Sequence, residues 1–214
     1  MSGDKTPPRK ITHVLIAWLI RTNLKVFFGL KVKGLENIPS QGAFILASNH
    51  QSLMDPPLIG SVCPRGLYVA AKKELLEIVV IGRIIRYLNA IPVRRSGYDR
   101  GVLKLLGEAL DKGYGINIFP EGTRSRDGKL GKPRPGVGVL SKNHNAVVVP
   151  VYISGSSDLR KQFFKRKLVI KFGNPLDFKA QNFSDSKNEK EIYREISVEV
   201  LRSIAKTGGV SSPV

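Results

Sequence analysis

From residue 43 to residue 172 the chain switches repeatedly between short apolar runs and segments of helical spacing. Residues 43–48 (AFILAS) read as a buried strand, and 66–71, 89–94, 115–119, 146–153 and 167–172 as further strands. Between them, 72–87 is helical and apolar on much of its circumference. Residues 100–112 place Val102, Leu103, Leu105, Leu106, Ala109 and Leu110 at helical spacing, and Gly113 stops them. Residues 136–143 form another helix. Residues 187–206 form a last, amphipathic one, with Ile192, Ile196, Val200 and Ile204 on one side. Strands separated by helices predict an α/β fold, a largely parallel sheet flanked by helices. At 214 residues, one such domain suffices. Its expected span is 31–206, with an N-terminal tail and helical segment over 1–30 and a flexible tail over 207–214.

The segment 11–30, ITHVLIAWLIRTNLKVFFGL, is the most hydrophobic part of the N-terminal region, but Arg21 and Lys25 interrupt it. Spanning a bilayer takes roughly 20 predominantly apolar residues, and the uncharged run here is much shorter. A signal-peptide cleavage site is also missing. Trp18, Phe27 and Phe28 are rings that favour an interface, and the nearby cations suit anionic headgroups. The segment therefore reads as an amphipathic helical membrane anchor, one helix or a short pair, lying in the interface. The competing reading is an ordinary helix packed on the core.

Charge narrows the partners. Thirty-five Lys and Arg stand against 17 Asp and Glu, a net charge of +18. Such a balance favours an anionic partner: nucleic acid, an acidic membrane surface, or an acidic protein or substrate. The single Cys63 excludes an intramolecular disulfide and reads as a small buried residue. No Cys and His cluster has metal-ligand spacing, so neither a metal nor a cofactor is expected.

Two short blocks carry chemistry. In Asn49-His50-Gln51-Ser52-Leu53-Met54-Asp55, the histidine and aspartate would not share a face of a regular helix, since five positions rotate them by about 140°. Pro56-Pro57 follows directly, and proline favours a helix start with aspartate as the cap before it. Residues 50–55 thus read as a turn between a strand and a helix, able to fold His50 back onto Asp55. The carboxylate would fix the imidazole tautomer and leave the other nitrogen basic. Such a pair activates a hydroxyl without a covalent intermediate. Ser52 is a possible nucleophile, but a turn residue more readily. Loops after strand C-termini are where α/β sheets place their sites. The second block is Phe119-Pro120-Glu121-Gly122-Thr123-Arg124-Ser125. Arg124 can grip a phosphate bidentately, and Gly122 lets backbone approach a ligand. Glu121 beside a phosphate would serve a hydroxyl or orient Arg124.

Taken with Ile91-Pro92-Val93-Arg94-Arg95 and Val149-Pro150-Val151, these blocks resemble the four ordered motifs of the glycerolipid acyltransferase family that includes 1-acyl-sn-glycerol-3-phosphate acyltransferase. Asn49-His50-x-Ser52-x-x-Asp55 is similar to its His-x4-Asp motif. The resemblance implies transfer of a fatty acyl group from a thioester, carried on coenzyme A or acyl carrier protein, to the sn-2 hydroxyl of lysophosphatidate, giving phosphatidate. It implies His50 as general base, Asp55 as its partner, and Glu121, Gly122, Thr123 and Arg124 as acceptor-binding residues, with Arg94 or Arg95 beside them. Pro92 departs from a normally apolar stretch and leaves open which of the two arginines faces inward. The short N-terminal region departs from members with long membrane-spanning segments, so this chain is expected as a peripheral or monotopic protein on the cytoplasmic face of the cell membrane.

The basic loops then have partners. Arg124, Arg126, Lys129, Lys132 and Arg134 crowd the region after the second chemical block, and Arg160, Lys161, Lys165, Arg166 and Lys167 form another cluster. Relatives of the same motifs act on glycerol-3-phosphate or other lysophospholipids, so those acceptors are the alternative. A basic nucleic-acid-binding or membrane-binding module without chemistry is the more distant one. Nucleic acid is not expected as a partner, because no helix-turn-helix, zinc-finger spacing or RNP-type aromatic pattern occurs.

Overall fold

The computed structural model describes residues 11–72, 90–93, 100–125, 127–179 and 188–214. In chain order the elements are α1 (Ile11–Phe28), β1 (Lys31–Lys33), β2 (Phe44–Ser48), α2 (Asp55–Val62), β3 (Leu67–Lys72), β4 (Ala90–Val93), α3 (Arg100–Asp111), β5 (Gly115–Ile118), α4 (Gly136–Asn143), β6 (Val147–Ser154), α5 (Leu159–Lys165), β7 (Val169–Phe172) and α6 (Glu189–Gly208). The strands form one seven-stranded sheet in the order β1-β7-β6-β2-β5-β3-β4. Every pairing is parallel except that of β6 with β7. The expected α/β fold, a mostly parallel sheet flanked by helices, is therefore what the chain adopts.

The pleat divides the core. Phe44 and Leu46 of β2 face one side, and Ile45 and Ala47 the other. The first pair joins Leu58 and Ile59 of α2, Leu24 of α1 and the fully buried Cys63. The second joins Leu106 and Leu110 of α3, Leu140 of α4 and Ile196, Val200 and Ile204 of α6. With helices on both faces, β2 reads as an apolar run from Phe44 to Ala47 because both of its faces are covered.

Helix ends follow local chemistry. Asn188 and Glu191 form a capping box at the start of α6 (Asn188 Oδ1 accepts from Glu191 N at 3.1 Å, Glu191 Oε2 from Asn188 N at 3.3 Å). Gly209 ends α6 in the left-handed conformation, φ 73°. The helix runs through Thr207 and Gly208, two positions expected in the tail.

Other elements depart from expectation. The segment 11–30 is one helix, not a pair, followed by the three-residue strand β1. Nothing in Lys-Val-Lys marks that strand, whose two lysines are exposed. The helix α5 is a surprise for the same reason: its two aromatic residues, Phe163 and Phe164, are exposed rather than turned to the core. Residue 72 closes β3, and the rest of the helix expected over 72–87 lies outside the described residues, as does the Arg94 end of the strand expected over 89–94. Helix α1 packs on α2 and α5, burying Ala17 and Leu24 and leaving Trp18, Leu19, Val26 and Phe27 exposed. Among the described residues no helix is long and apolar enough to cross a membrane.

Candidate active site

The strands β2, β5 and β6 run parallel, with Ala47 beside both Ile118 and Pro150. The segments that follow them leave the sheet at one end. Asn49 anchors the first of these segments. Its side chain is buried and pairs with β6 as a backbone would, donating to Ile153 O at 2.9 Å and accepting from Ile153 N at 2.7 Å. The next residue, His50, starts the turn.

The turn folds His50 onto Asp55 as expected, with Nδ1 and Oδ2 at 2.9 Å. The same Oδ2 accepts from Gln51 N and Ser52 N, each at 2.7 Å. Asp55 is thus not the cap of α2 but its first residue, and its carboxylate reaches backwards into the turn. Oδ1 is buried and meets no donor among the described residues. Two backbone amides hold this fully buried carboxyl group in place beside the ring. In the tautomer that donates Nδ1–H to Asp55, Nε2 carries the free lone pair. The imidazole lies flat on Phe119, ring centroids 3.9 Å apart. Ser52 is a turn residue, its Oγ accepting from Met54 N at 3.2 Å.

The loop after β5 wraps this turn. Glu121 accepts from His50 N through Oε1 at 3.1 Å and from Gly131 N through Oε2 at 2.8 Å. Ser125 N donates to His50 O at 2.8 Å, and Gln51 Nε2 to Gly128 O at 3.2 Å. Burial pushes the Glu121 carboxyl above its ordinary value, against the two amide bonds that pull it down. Gly122 has φ 70°, a backbone conformation that favours glycine, and Arg134 Cδ lies where a Cβ would come within 2.6 Å of it. A cleft of about 560 Å³ opens beside Glu121 and is lined by Thr123, Lys129, Lys132 and Arg134 among others.

The residues singled out by sequence are only partly brought together. His50, Asp55 and Glu121 form one hydrogen-bonded unit, and Thr123 lines the cleft. Arg124 is exposed in the same loop and is not part of the cleft lining. Arg94, Arg95 and Arg126 lie outside the described residues. Sequence reasoning did not see that Phe119 stacks on His50, nor that Arg134 packs under Gly122. The only signal for Arg134 was its place in a run of cations. His144 ends α4 and pairs with Asp111 at 2.6 Å, a helix-end role apart from the site. Among the described residues no group of His, Cys, Asp and Glu has the arrangement of a metal site.

The Acyltransferase family model matches residues 29–154, which is more than half of the chain and contains both chemical blocks. The chain belongs to the acyltransferase family. This acyltransferase is 31% identical over 150 residues to the 1-acyl-sn-glycerol-3-phosphate acyltransferase of Bacillus subtilis, covering 69% of this chain and 74% of that one. It is 30% identical over 154 residues to a chloroplastic 1-acyl-sn-glycerol-3-phosphate acyltransferase of Arabidopsis thaliana, covering 71% of this chain and 43% of that one. Among solved structures it is similar to the crystal structure of the 1-acyl-sn-glycerophosphate acyltransferase PlsC from Thermotoga maritima. There the TM-score is 0.65 and the identity 29%, over 89% of this chain and 79% of that one.

Proposed function

We propose that this acyltransferase moves a fatty acyl group from an acyl thioester to the sn-2 hydroxyl of 1-acyl-glycerol-3-phosphate, giving phosphatidate and a free thiol. The observation that carries the reading is the contact of 2.9 Å between His50 Nδ1 and a buried Asp55 oxygen that two amides already hold. In the proposed step, Nε2 takes the proton of the acceptor hydroxyl as its oxygen bonds to the thioester carbonyl carbon. The C–S bond then breaks, and the imidazolium returns the proton to the departing thiolate. Asp55 stabilises the imidazolium while it exists. The acceptor phosphate is held by cations of the loop after β5, Arg124 together with Lys132 and Arg134, with Thr123 beside them and Arg94 or Arg95 as further candidates. The relatives named above support this choice of acceptor.

The same reading keeps the protein peripheral at the cytoplasmic face of the cell membrane, with the exposed side of α1 as an interfacial anchor against anionic lipid. Viewed from Leu24, the outward Trp18, Leu19 and Val26 fall roughly 120–160° round the helix, at about 100° per residue. That arrangement gives α1 one face for the core and one for an interface. The test is to supply an acyl thioester with lysophosphatidate and follow thiol release together with phosphatidate. Release that depends on the acceptor is expected. Release at the same rate without it would make the protein a thioesterase and overturn the proposal.

A further inference from the structure

Helix α5 has no part in the site, and it carries the most exposed large apolar side chain described in the molecule, Phe164 at 84%. Phe163 stacks on Phe27 of α1 with centroids 6.1 Å apart and meets Phe28 edge-on at 6.1 Å. It also meets Phe164 edge-on at 5.5 Å. The rings of α5 therefore join Phe27 and Phe28, at the C-terminal end of α1, in one aromatic patch. Cations surround it: Lys25, Lys161, Lys165 and Lys167 are exposed. No Asp or Glu lies within 11–35 or 159–176, and Asp158, which pairs with Lys161 at 3.1 Å, is the nearest acid on the α5 side. Exposed rings ringed by cations suit a surface that is apolar beneath and negative above.

The patch also has a fixed place. Ser154 at the end of β6 sits opposite Val169 at the start of β7, so α5, which joins them, lies over the end of the sheet where β2 delivers His50. Lys31 pairs with Val169, and Leu168 N donates to Phe28 O at 3.4 Å, which brings the C-terminal end of α1 to that same end. Leu53 and Met54, at the tip of the catalytic turn, are exposed there too. We infer that α5 is a second membrane-contacting element: Phe163 and Phe164 enter an anionic bilayer together with the exposed Phe27 at the C-terminal end of α1 and seat the His50 edge against the lipid surface. The consequence for catalysis rests on the acyltransferase reading, while the seating itself does not.

Vesicle binding tests the seating without reference to activity. In the full chain, Phe164→Ser and Phe163→Ser/Phe164→Ser should weaken sedimentation with phosphatidylcholine–phosphatidylglycerol vesicles, the double variant by about tenfold or more. Phe164→Ser removes only an exposed ring and leaves the packed Phe163 in place, so it keeps the test valid if the double variant is unstable. Direct insertion is read from Phe164→Trp in a Trp18→Phe background: its fluorescence should shift to the blue on these vesicles and be quenched by brominated lipid. Unquenched fluorescence, or binding equal to wild type in both serine variants, would overturn the inference. If binding fell in Trp18→Ser/Leu19→Ser but not in the α5 serine variants, α1 alone would be the anchor and α5 would not. Self-association that buries the introduced indole without vesicles would assign the patch to a second copy instead. Turnover of a short-chain, water-soluble lysophosphatidate separates the two readings. Its absence in the wild type would sink the proposed reaction, whatever the vesicles showed.

Discussion

Two regions meet at the end of the sheet, and they are built on opposite terms. The turn from His50 to Asp55 is over-determined: one buried carboxylate oxygen takes three donors, a ring packs flat on the imidazole, and Asn49 is stitched into β6. The loop from Gly122 to Arg134 leaves Arg124 in solvent and Lys129, Lys132 and Arg134 exposed around an open cleft. A charge that must act on one atom at one distance needs fixed geometry, and buried donors supply it. A charge that must capture an anion from solution or from a membrane gains from exposure and reach. Under the proposed reaction, position in the fold separates a rate-setting region from an affinity-setting one, although both derive from adjacent strand ends.

The sharpest way to break that division is at His50. His50→Ala should lower kcat by roughly 10²–10⁴ while leaving the apparent affinity for lysophosphatidate little changed. Steady-state kinetics check it, and turnover like that of the wild type would end the mechanism. Asp55→Asn should also lose most of its turnover. An amide oxygen can still accept the donors now met by Oδ2, but the charge that stabilises the imidazolium is gone. The amide nitrogen would then occupy the place of Oδ1, which is buried with no partner among the described residues, and stand there as an orphan donor.

The loop should respond in the other parameter. A hydrogen bond between charged groups is worth about 1.5–3 kcal/mol, so Arg124→Ala should raise the acceptor KM roughly ten- to a hundredfold. The donor KM should barely move, and added salt should narrow the gap from wild type, since exposed charges are screened. Arg134→Ala sharpens the assignment. Its side chain lines the cleft and lies under Gly122, whereas that of Arg124 does not line it. A larger acceptor effect at 134 than at 124 would move the phosphate grip into the cleft. An equal loss for donor and acceptor in both variants would remove it from this loop.

How far these two regions could be read in advance follows from the kind of signal each leaves. The turn was legible because Pro56-Pro57 dates the start of a helix and a strand ends just before His50, so two local rules fix the fold-back. The parallel sheet was legible because β2, β5 and β6 are predominantly apolar runs. What escaped depends on non-local contacts: Phe119 over His50, Arg134 beneath Gly122, and the antiparallel return of β7 along β6. Helix α5 escaped for a related reason, since its rings pack on α1 rather than on the core and so leave no periodic trace of burial.

Glu121 joins the two regions, and its substitution should have the smallest but most discriminating effect. One carboxylate oxygen serves His50 N in the turn and the other Gly131 N in the loop. In Glu121→Gln the amide nitrogen must face one of these donors, so stability should fall by about 1–3 kcal/mol. Loosening both partners should cost kcat and acceptor KM together, unlike the one-sided variants above. Its pH dependence has a definite sign. Burial raises the folded pKa of Glu121 above its ordinary value, so the folded chain holds this proton more tightly than the unfolded chain. The resulting stabilisation is complete below the unfolded value and is lost as pH rises through the raised folded one. Glutamine does not titrate, and the other groups cancel between the two proteins. The lead of the wild type over Glu121→Gln in urea unfolding should therefore be widest at acid pH and shrink as pH rises above the usual glutamate range. A lead that widened with pH would mean that the two amides outweigh burial, and that Glu121 ties turn to loop as a favoured anion.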